Sequence, residues 1–333
     1  MPRRSCGSRA IRASILSGVR VPAFPFWSLL MRSLIVIALA AAGLLLSNPA
    51  SAEGVFPPVS TTLHIDDGRP VIDLTIVGPT GSAEGRFLVD TGGGAFMIPE
   101  GVARAVGLSW SATFREEGNE FARPETLPTA LLEGLSLGLN GERVLVPIDR
   151  NVGLLPGHVL AQYHVIFDYP GRTLTIASPG SVEPIGAAQA MPVSRPMGFP
   201  RTEIRIGKTT YGLLLDTGPA ATIISEAVAD QLGRQYMLWE YQDGAHHEAQ
   251  ALQRAGGRVL GTLVAQQVEW GDFEIGPVTM ASQPEGTFER WISRMMTDPV
   301  VGALGSNVFK DFRLELDYLN QTLYLSRSTS TGR

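Results

Sequence analysis

The sequence predicts a mainly β chain folded as two similar lobes with a few short helices, and three observations carry that prediction. The chain has 333 residues, 44% hydrophobic and 18% charged, enough to bury a core in one large domain or two smaller ones. Its 37 Gly and 23 Pro are scattered along the whole length, which favours many short strands joined by turns over long helices. The third observation is a duplication: Phe87-Leu88-Val89-Asp90-Thr91-Gly92 is answered by Leu213-Leu214-Leu215-Asp216-Thr217-Gly218 at an offset of 126 residues.

The first segment reads as an address. Residues 34–46 form an uncharged apolar run of 13 residues, preceded by Arg32 and followed by Ala50-Ser51-Ala52. That is a charged flank, an apolar core and a small-residue cleavage site, so residues 1–52 are expected to be a presequence with Met31 as start and cleavage after Ala52. The run falls short of the roughly 20 residues that span a bilayer. A retained anchor over Phe26 to Leu46, with Arg32 snorkelling, is the alternative, and membrane contact is expected only in that case. Residues 1–52 hold six of the 27 basic residues and none of the 32 acidic ones, so 21 remain against 32, a net charge of −11. Nucleic acid and anionic membranes are poor partners for such a chain. The one cysteine, Cys6, lies in the presequence, which excludes disulfides, thiol catalysis and cysteine-bound metal from the rest. The expected destination is periplasmic or secreted.

The N-terminal lobe is assigned to 53–178. Strands are expected at Val71 to Val77 and Arg86 to Val89, with turns at Asp67-Gly68 and Gly81, and His64 with Asp66-Asp67-Gly68 reads as part of a hairpin turn. After Asp90-Thr91-Gly92 the repeat continues without a gap: Met97-Ile98 faces Ile223-Ile224, Glu100 faces Glu226, and Val106-Gly107 faces Leu232-Gly233. Each copy predicts a second apolar strand and a short helix, opened by Pro99 or Ser225 and capped by Gly107 or Gly233. A second motif pair follows, Gly153-Leu154-Leu155-Pro156 and Gly302-Ala303-Leu304-Gly305, now offset by 149. Each runs on to Asp168-Tyr169 or Asp317-Tyr318 and then to a strand, Thr173 to Ile176 or Thr322 to Leu325; Asp168 and Asp317 read as strand-end or turn residues. The Pro-rich segment 179–200 is expected to link the lobes. The C-terminal lobe is 201–333, with strands at Thr202 to Ile206 and Thr210 to Leu215 and an insertion around 236–261.

The chemistry is expected at two aspartates. An acid at the end of an apolar triplet is costly to bury ionised unless hydrogen bonds or a partner compensate it. Gly92 and Gly218 let the backbone bend so that an N–H reaches the carboxylate, and the hydroxyls of Thr91 and Thr217 can bond across to the opposite unit. If the units face each other about a pseudo-twofold axis, Asp90 and Asp216 meet, share one proton and titrate as a pair.

These residues resemble the pepsin and retropepsin clan of aspartic proteases, and most closely bacterial proteins with two tandem retropepsin-like units. The resemblance rests on the two Asp-Thr-Gly motifs after apolar triplets and on the later apolar-apolar-Gly turn at Ala303-Leu304-Gly305, to which Leu155-Pro156 corresponds in the first unit. It implies an acid-protease fold of two β-barrel lobes, a dyad of Asp90 and Asp216 and interlobe hydrogen bonds from Thr91 and Thr217. It also implies a peptide or protein substrate, no cofactor, and a monomer whose two lobes act as a pseudo-dimer. Flap hairpins are expected within Ser111 to Pro128, tipped by Glu117-Gly118-Asn119, and within 236–261.

The chain departs from the pattern after each Gly, where the family usually has Ser, Thr or Ala and this sequence has Gly93 and Pro219. Without a hydroxyl there the charged dyad loses a donor, so activity is expected at mildly acidic to neutral pH. Pro219 is also expected to disturb the second carboxylate, and Pro156-Gly157 to reshape the first lobe's turn relative to Gly305-Ser306. His246-His247 are adjacent residues without further ligands at suitable spacing, so no metal is expected. Trp239 and Tyr241 either line a cleft or pack. The expected activity is that of an aspartic endopeptidase; a catalytically silent peptide-binding module and a protease gated by one partner remain open.

Overall fold

A computed structural model of the chain describes residues 55–116, 118–236, 261–284, 286 and 288–327. The presequence, the tip residue Glu117, and Trp239, Tyr241, His246 and His247 with the rest of 237–260 lie outside the described residues.

The first lobe opens with β1 (Val59–Thr62) and the hairpin β2 (His64–Asp66) and β3 (Arg69–Gly78). It continues with β4 (Gly81–Asp90), β5 (Phe96–Met97), α1 (Glu100–Ala105), and the hairpin β6 (Thr113–Glu116) and β7 (Asn119–Ala122). β8 (Thr129–Leu132), β9 (Leu135–Leu137), β10 (Val144–Pro147), β11 (Gly153–Pro156), α2 (Gly157–Leu160), β12 (His164–Asp168) and β13 (Thr173–Ala177) complete it. The connecting segment carries β14 (Ala187–Ala190) and β15 (Val193–Ser194). The second lobe follows with β16 (Phe199–Ile206), β17 (Thr209–Leu215), β18 (Thr222–Ser225), α3 (Glu226–Tyr236), β19 (Gly261–Ala265), β20 (Val268–Trp270), β21 (Phe273–Glu274) and β22 (Val278–Gln283). It ends with β23 (Gly302–Leu304), α4 (Ser306–Phe309), β24 (Phe312–Asp317) and β25 (Thr322–Arg327).

The duplication in sequence is a duplication in topology. In the first lobe β11 runs parallel to β4, setting Val89 opposite Leu155 and Asp90 opposite Pro156, and antiparallel to β5. In the second, β23 runs parallel to β17, setting Leu215 opposite Leu304, and antiparallel to β18. Each aspartate therefore ends a central strand held on both sides, and the apolar triplets before it fill the core: Phe87, Val89, Leu213, Leu214 and Leu215 are all buried. The Leu213-Leu214-Leu215 triplet is buried throughout, as a central strand covered on both faces requires, whereas in the first triplet Leu88 is half-buried between Phe87 and Val89.

A third sheet ties the lobes together in the order β1-β13-β12-β24-β25-β14. Its seam is the antiparallel pair β12 and β24, where Val165 faces Leu316 and Phe167 faces Leu314. Within that seam His164 and Glu315, both buried, approach to 3.3 Å, and Glu315 also accepts from the Ile185 amide at 3.0 Å and from Arg313. The segment expected only to link the lobes thus also adds an edge strand, because β14 pairs with β25.

Most expected elements form where the sequence places them but run longer, by one or two residues in β13, β17 and β25 and by three or more in β3, β4 and β16. The Asp67-Gly68 turn has φ of 50° and 76°, the left-handed region that Asp tolerates and Gly favours. Asp168 and Asp317 close turns, accepting from the amides of Gly171 at 2.8 Å and Asn320 at 3.0 Å. One expectation is corrected. Gly107, at φ 77°, follows α1 as its C-terminal cap, but Gly233 lies inside α3, which continues to Tyr236. A single interior Gly costs a helix only about 1 kcal/mol, so the apolar face formed by Val228, Ala229 and Leu232 carries α3 past it.

Candidate active site

The two Asp-Thr-Gly turns meet where the lobes face each other, and they are cross-linked through their threonines. Thr91 Oγ1 donates to the Leu215 carbonyl at 2.6 Å and accepts from the Thr217 amide at 3.1 Å. Thr217 Oγ1 donates to the Val89 carbonyl at 2.6 Å and accepts from the Thr91 amide at 3.1 Å. Both side chains are fully buried, so these four bonds replace water for four backbone groups at the centre of the molecule. The network is reciprocal, as a pseudo-twofold axis between equivalent turns requires.

The carboxyls are held with the same symmetry. Asp90 Oδ1 accepts from the Gly92 amide at 3.1 Å, and Asp216 Oδ1 accepts from the Gly218 amide at 3.0 Å. Each glycine also lies against the opposite acid: a Cβ at Gly92 would overlap the Asp216 carboxyl, and one at Gly218 would lie 2.5 Å from Asp90 Cγ. Any side chain at either position would push the two carboxyls apart.

The residues beneath the acids also match in geometry. The Asp216 amide donates to the Leu304 carbonyl at 3.0 Å. Pro156 (φ −90°, ψ 165°) and Gly305 (φ −98°, ψ 175°) are both extended, and each precedes a short helix. The reshaping expected from Pro156-Gly157 is therefore absent: the extended conformation suits proline as well as glycine. The next residues differ in one respect. The amides of Gly157 and Ser306 donate to the carbonyls of Gly93 (3.3 Å) and Pro219 (2.9 Å), but only Ser306 adds a hydroxyl, which donates to the Thr217 carbonyl at 2.9 Å. In the first lobe a Cβ at Gly157 would overlap the Thr91 carbonyl oxygen, with the Gly198 carbonyl oxygen next at 3.1 Å, so no side chain fits there.

The two departures after the glycines have separate explanations. At Gly93 a Cβ would collide with the Leu154 side chain, so β11 occupies the space where a hydroxyl would sit. Pro219 does not disturb its neighbour, since Asp216 keeps the same glycine-amide bond that Asp90 has. What Pro219 removes is a donor. The Gly93 amide, which bonds the Asp90 carbonyl at 3.0 Å, also helps to hold the Asp90 carboxyl charged, and proline has no N–H for the equivalent role.

Both acids are buried, Asp216 at 0% exposure and Asp90 at 4%, and both pKa values are raised. Burial lifts Asp90 to about 6, against the opposing pull of hydrogen bonds from Asp216 and the Gly92 amide and of the Arg69 charge. Burial and then the negative charge of Asp90 lift Asp216 well above the ordinary carboxylate range. Asp216 Oδ2 is buried and makes no hydrogen bond of good geometry to a donor among the described residues. Facing another carboxyl, that oxygen is the natural seat of a shared proton. The arrangement therefore has one ionisable base and one retained acid side by side, the pairing that general acid–base chemistry needs.

The raised pair has a consequence for stability. A carboxyl whose folded pKa lies above its unfolded value of 3.8 contributes fully below that value, and its contribution is lost as pH rises through the folded pKa. The folded protein is therefore expected to lose stability from pH about 4 to beyond 6, by on the order of 2–3 kcal/mol, because each tenfold change in proton affinity is worth about 1.36 kcal/mol. Asp90→Asn, which removes the acid that ionises in this window, should unfold at higher denaturant than the parent at pH 8 and show a flatter dependence between pH about 4 and 6. Equal pH dependence in the two proteins would contradict this.

Sequence reasoning missed several residues of the site. Tyr169 lies beside Ser306 within reach of the Asp216 charge, Arg69 acts on Asp90 through its charge, and Asn307 holds Thr222 by accepting from its amide at 2.8 Å and its hydroxyl at 2.9 Å. Tyr169 and Ser306 stood within the repeated second motif, whereas nothing in the sequence marked Arg69. The hairpin expected within Ser111 to Pro128 is present as β6 and β7, with Glu116 opposite Asn119; the second expected flap lies outside the described residues. Phe114 and Phe121 of the hairpin join Met97, Leu154 and Ala95 in an apolar cluster that reaches the loop after Gly93. Among the described residues no group of acids and histidines has the geometry of a metal site.

No family model and no curated protein sequence matches the chain. Among solved structures it is similar to the aspartic proteinase from Irpex lacteus, with a TM-score of 0.50 and 13% identity over 83% of this chain and 100% of that one. The fold is thus mainly β and of the bilobal pepsin-like kind.

Proposed function

We propose that the chain is an aspartic endopeptidase that hydrolyses peptide bonds at a dyad of Asp90 and Asp216. The observation that carries this reading is the reciprocal site itself: two buried carboxyls, each bonded by its own glycine amide and packed against the opposite glycine. A structural role for two Asp-Gly turns would not require the acids to face each other in the core, where their burial raises both pKa values.

In this reading Asp90 is the base and Asp216 the acid. The Asp90 carboxylate takes a proton from a water molecule as the water oxygen bonds to the peptide carbonyl carbon. Asp216 gives its proton to the carbonyl oxygen, and a tetrahedral diol forms. The proton on Asp90 then passes to the amide nitrogen, the C–N bond breaks, and one diol hydroxyl returns its proton to Asp216 as the carboxylic acid product forms. The loss of a donor at Pro219 favours this assignment, because Asp216 is the acid with less support for a charge. In the same reading the β6–β7 hairpin covers a bound peptide on the first lobe's side, supported by its apolar contact with the loop after Gly93. Export with removal of residues 1–52, action as a single chain and delivery to the periplasm or exterior belong to the same proposal.

The test is incubation of a degenerate peptide library with the purified protein from pH 3 to 8, read by mass spectrometry. Cleavage should peak at mildly acidic to neutral pH, since both limbs of the profile are displaced upward with the dyad. A maximum at about pH 2 would contradict the raised pair. Peptides bound but left intact at every pH would favour the silent binding module.

A further inference from the structure

A cavity of about 320 Å³ lies at the junction of the lobes, against Ala220 of the loop that follows Asp216. The first lobe contributes Asp67 and Gly68 from the β2–β3 turn, with Tyr169 and Arg172 from the turn after β12. Opposite stand Ala220, four residues past Asp216, and Ser306 and Lys310 at the two ends of α4. Its size suits a small group or one end of a peptide, not a whole folded partner.

The charges in this cavity are unbalanced. Arg172 and Lys310 both line it, and neither has an acidic partner among the described residues. Asp67 is the only acid in the lining among the described residues, so two cations face one anion. Arg172 is held there by backbone: its amide donates to the Tyr169 carbonyl at 3.3 Å, in a turn where its φ is 53°. Tyr169 adds a buried aromatic wall, 4% exposed, and Ser306 Oγ is committed to the Thr217 carbonyl. Two cations facing one acid around a partly apolar hollow fit an anion of carboxylate size carried on a carbon chain.

We propose that this cavity is a specificity subsite that receives a carboxylate of the peptide substrate, either an acidic side chain or the C-terminal carboxylate. The proposal rests on the endopeptidase reading for its substrate, although binding at the subsite does not require hydrolysis. Through Ala220 and Ser306 the subsite shares walls with the loop that holds Asp216 and Thr217, so an anchored carboxylate sets the register of the chain across the dyad.

The test compares the purified protein with an Arg172→Gln/Lys310→Gln variant, whose changed side chains are exposed and lack ion pairs in the parent among the described residues. Three fluorescent peptides of one sequence are bound at low salt: one with an internal Glu, one with the Glu replaced by Gln and a free C-terminus, and one with Gln and an amidated C-terminus. The parent should bind one carboxylate-bearing peptide about tenfold more tightly than the amidated Gln peptide, roughly the worth of one charge-assisted contact. Which peptide gains identifies the source of the carboxylate. The double variant should lose that preference and bind the amidated Gln peptide as the parent does. Equal binding of all three by the parent, or a preference that survives in the variant, overturns the subsite. A preference that appears without any hydrolysis keeps the subsite and removes the endopeptidase reading.

Discussion

Asp90→Asn and Asp216→Asn are each expected to reduce peptide hydrolysis by at least about 10³-fold while leaving the protein folded. General acid–base help from one positioned group is commonly worth roughly 10²–10⁴-fold, and here neither acid can act alone. Asparagine at 90 removes the base that deprotonates water. At 216 it removes the proton that the carbonyl oxygen must receive. Asparagine keeps the oxygen that accepts from Gly92 or Gly218, so the turn survives either change. The double variant should be no slower than the slower single one, since groups that act as a unit are not additive. A single variant that retains near-parental rates would remove that acid from the mechanism.

The second large effect is expected at the threonines. Thr217→Ala leaves the Val89 carbonyl and the Thr91 amide without their partners, and both lie where water does not replace them. At about 1–3 kcal/mol for each buried unsatisfied group, the loss should be roughly 2–6 kcal/mol. It should appear as a lower urea midpoint with an unchanged slope. Thr91→Ala should cost as much, because its bonds to Leu215 and Thr217 mirror those of Thr217. Serine at either position restores the hydroxyl and should recover most of the loss. An alanine variant as stable as the serine one would mean that the cross-link contributes little.

Much of this was legible in the sequence because the duplication recorded it twice. A strand that ends in a buried acid demands an apolar triplet, and Phe87-Leu88-Val89 and Leu213-Leu214-Leu215 both display one. The turn at Pro156 and Gly305 could be located but not shaped: the extended backbone there accepts either residue, so the chemical difference misled. Pro219 likewise suggested displacement, when its effect is the loss of one N–H. Gly233 suggested a helix end, but the buried side of α3 outweighs one glycine. What lay beyond reach depends on long-range approach. Leu154 fills the space over Gly93, Arg69 acts on Asp90 from a hairpin 21 residues earlier, and Tyr169, Arg172 and Lys310 meet only because β12 and β24 pair across the lobes. No local pattern encodes such meetings.

The mechanism depends on Asp90 and Asp216 holding one proton between them as a single unit. The decisive observation follows the side-chain carboxyl carbons of ¹³C-labelled aspartate by NMR across pH, with Asp90→Asn and Asp216→Asn providing the assignments. A shared proton makes the two signals titrate together in two steps, both above the ordinary value of 3.8, with one proton retained where an isolated carboxyl is fully ionised. Two independent titrations near 3.8 would show instead that the acids do not act as a pair.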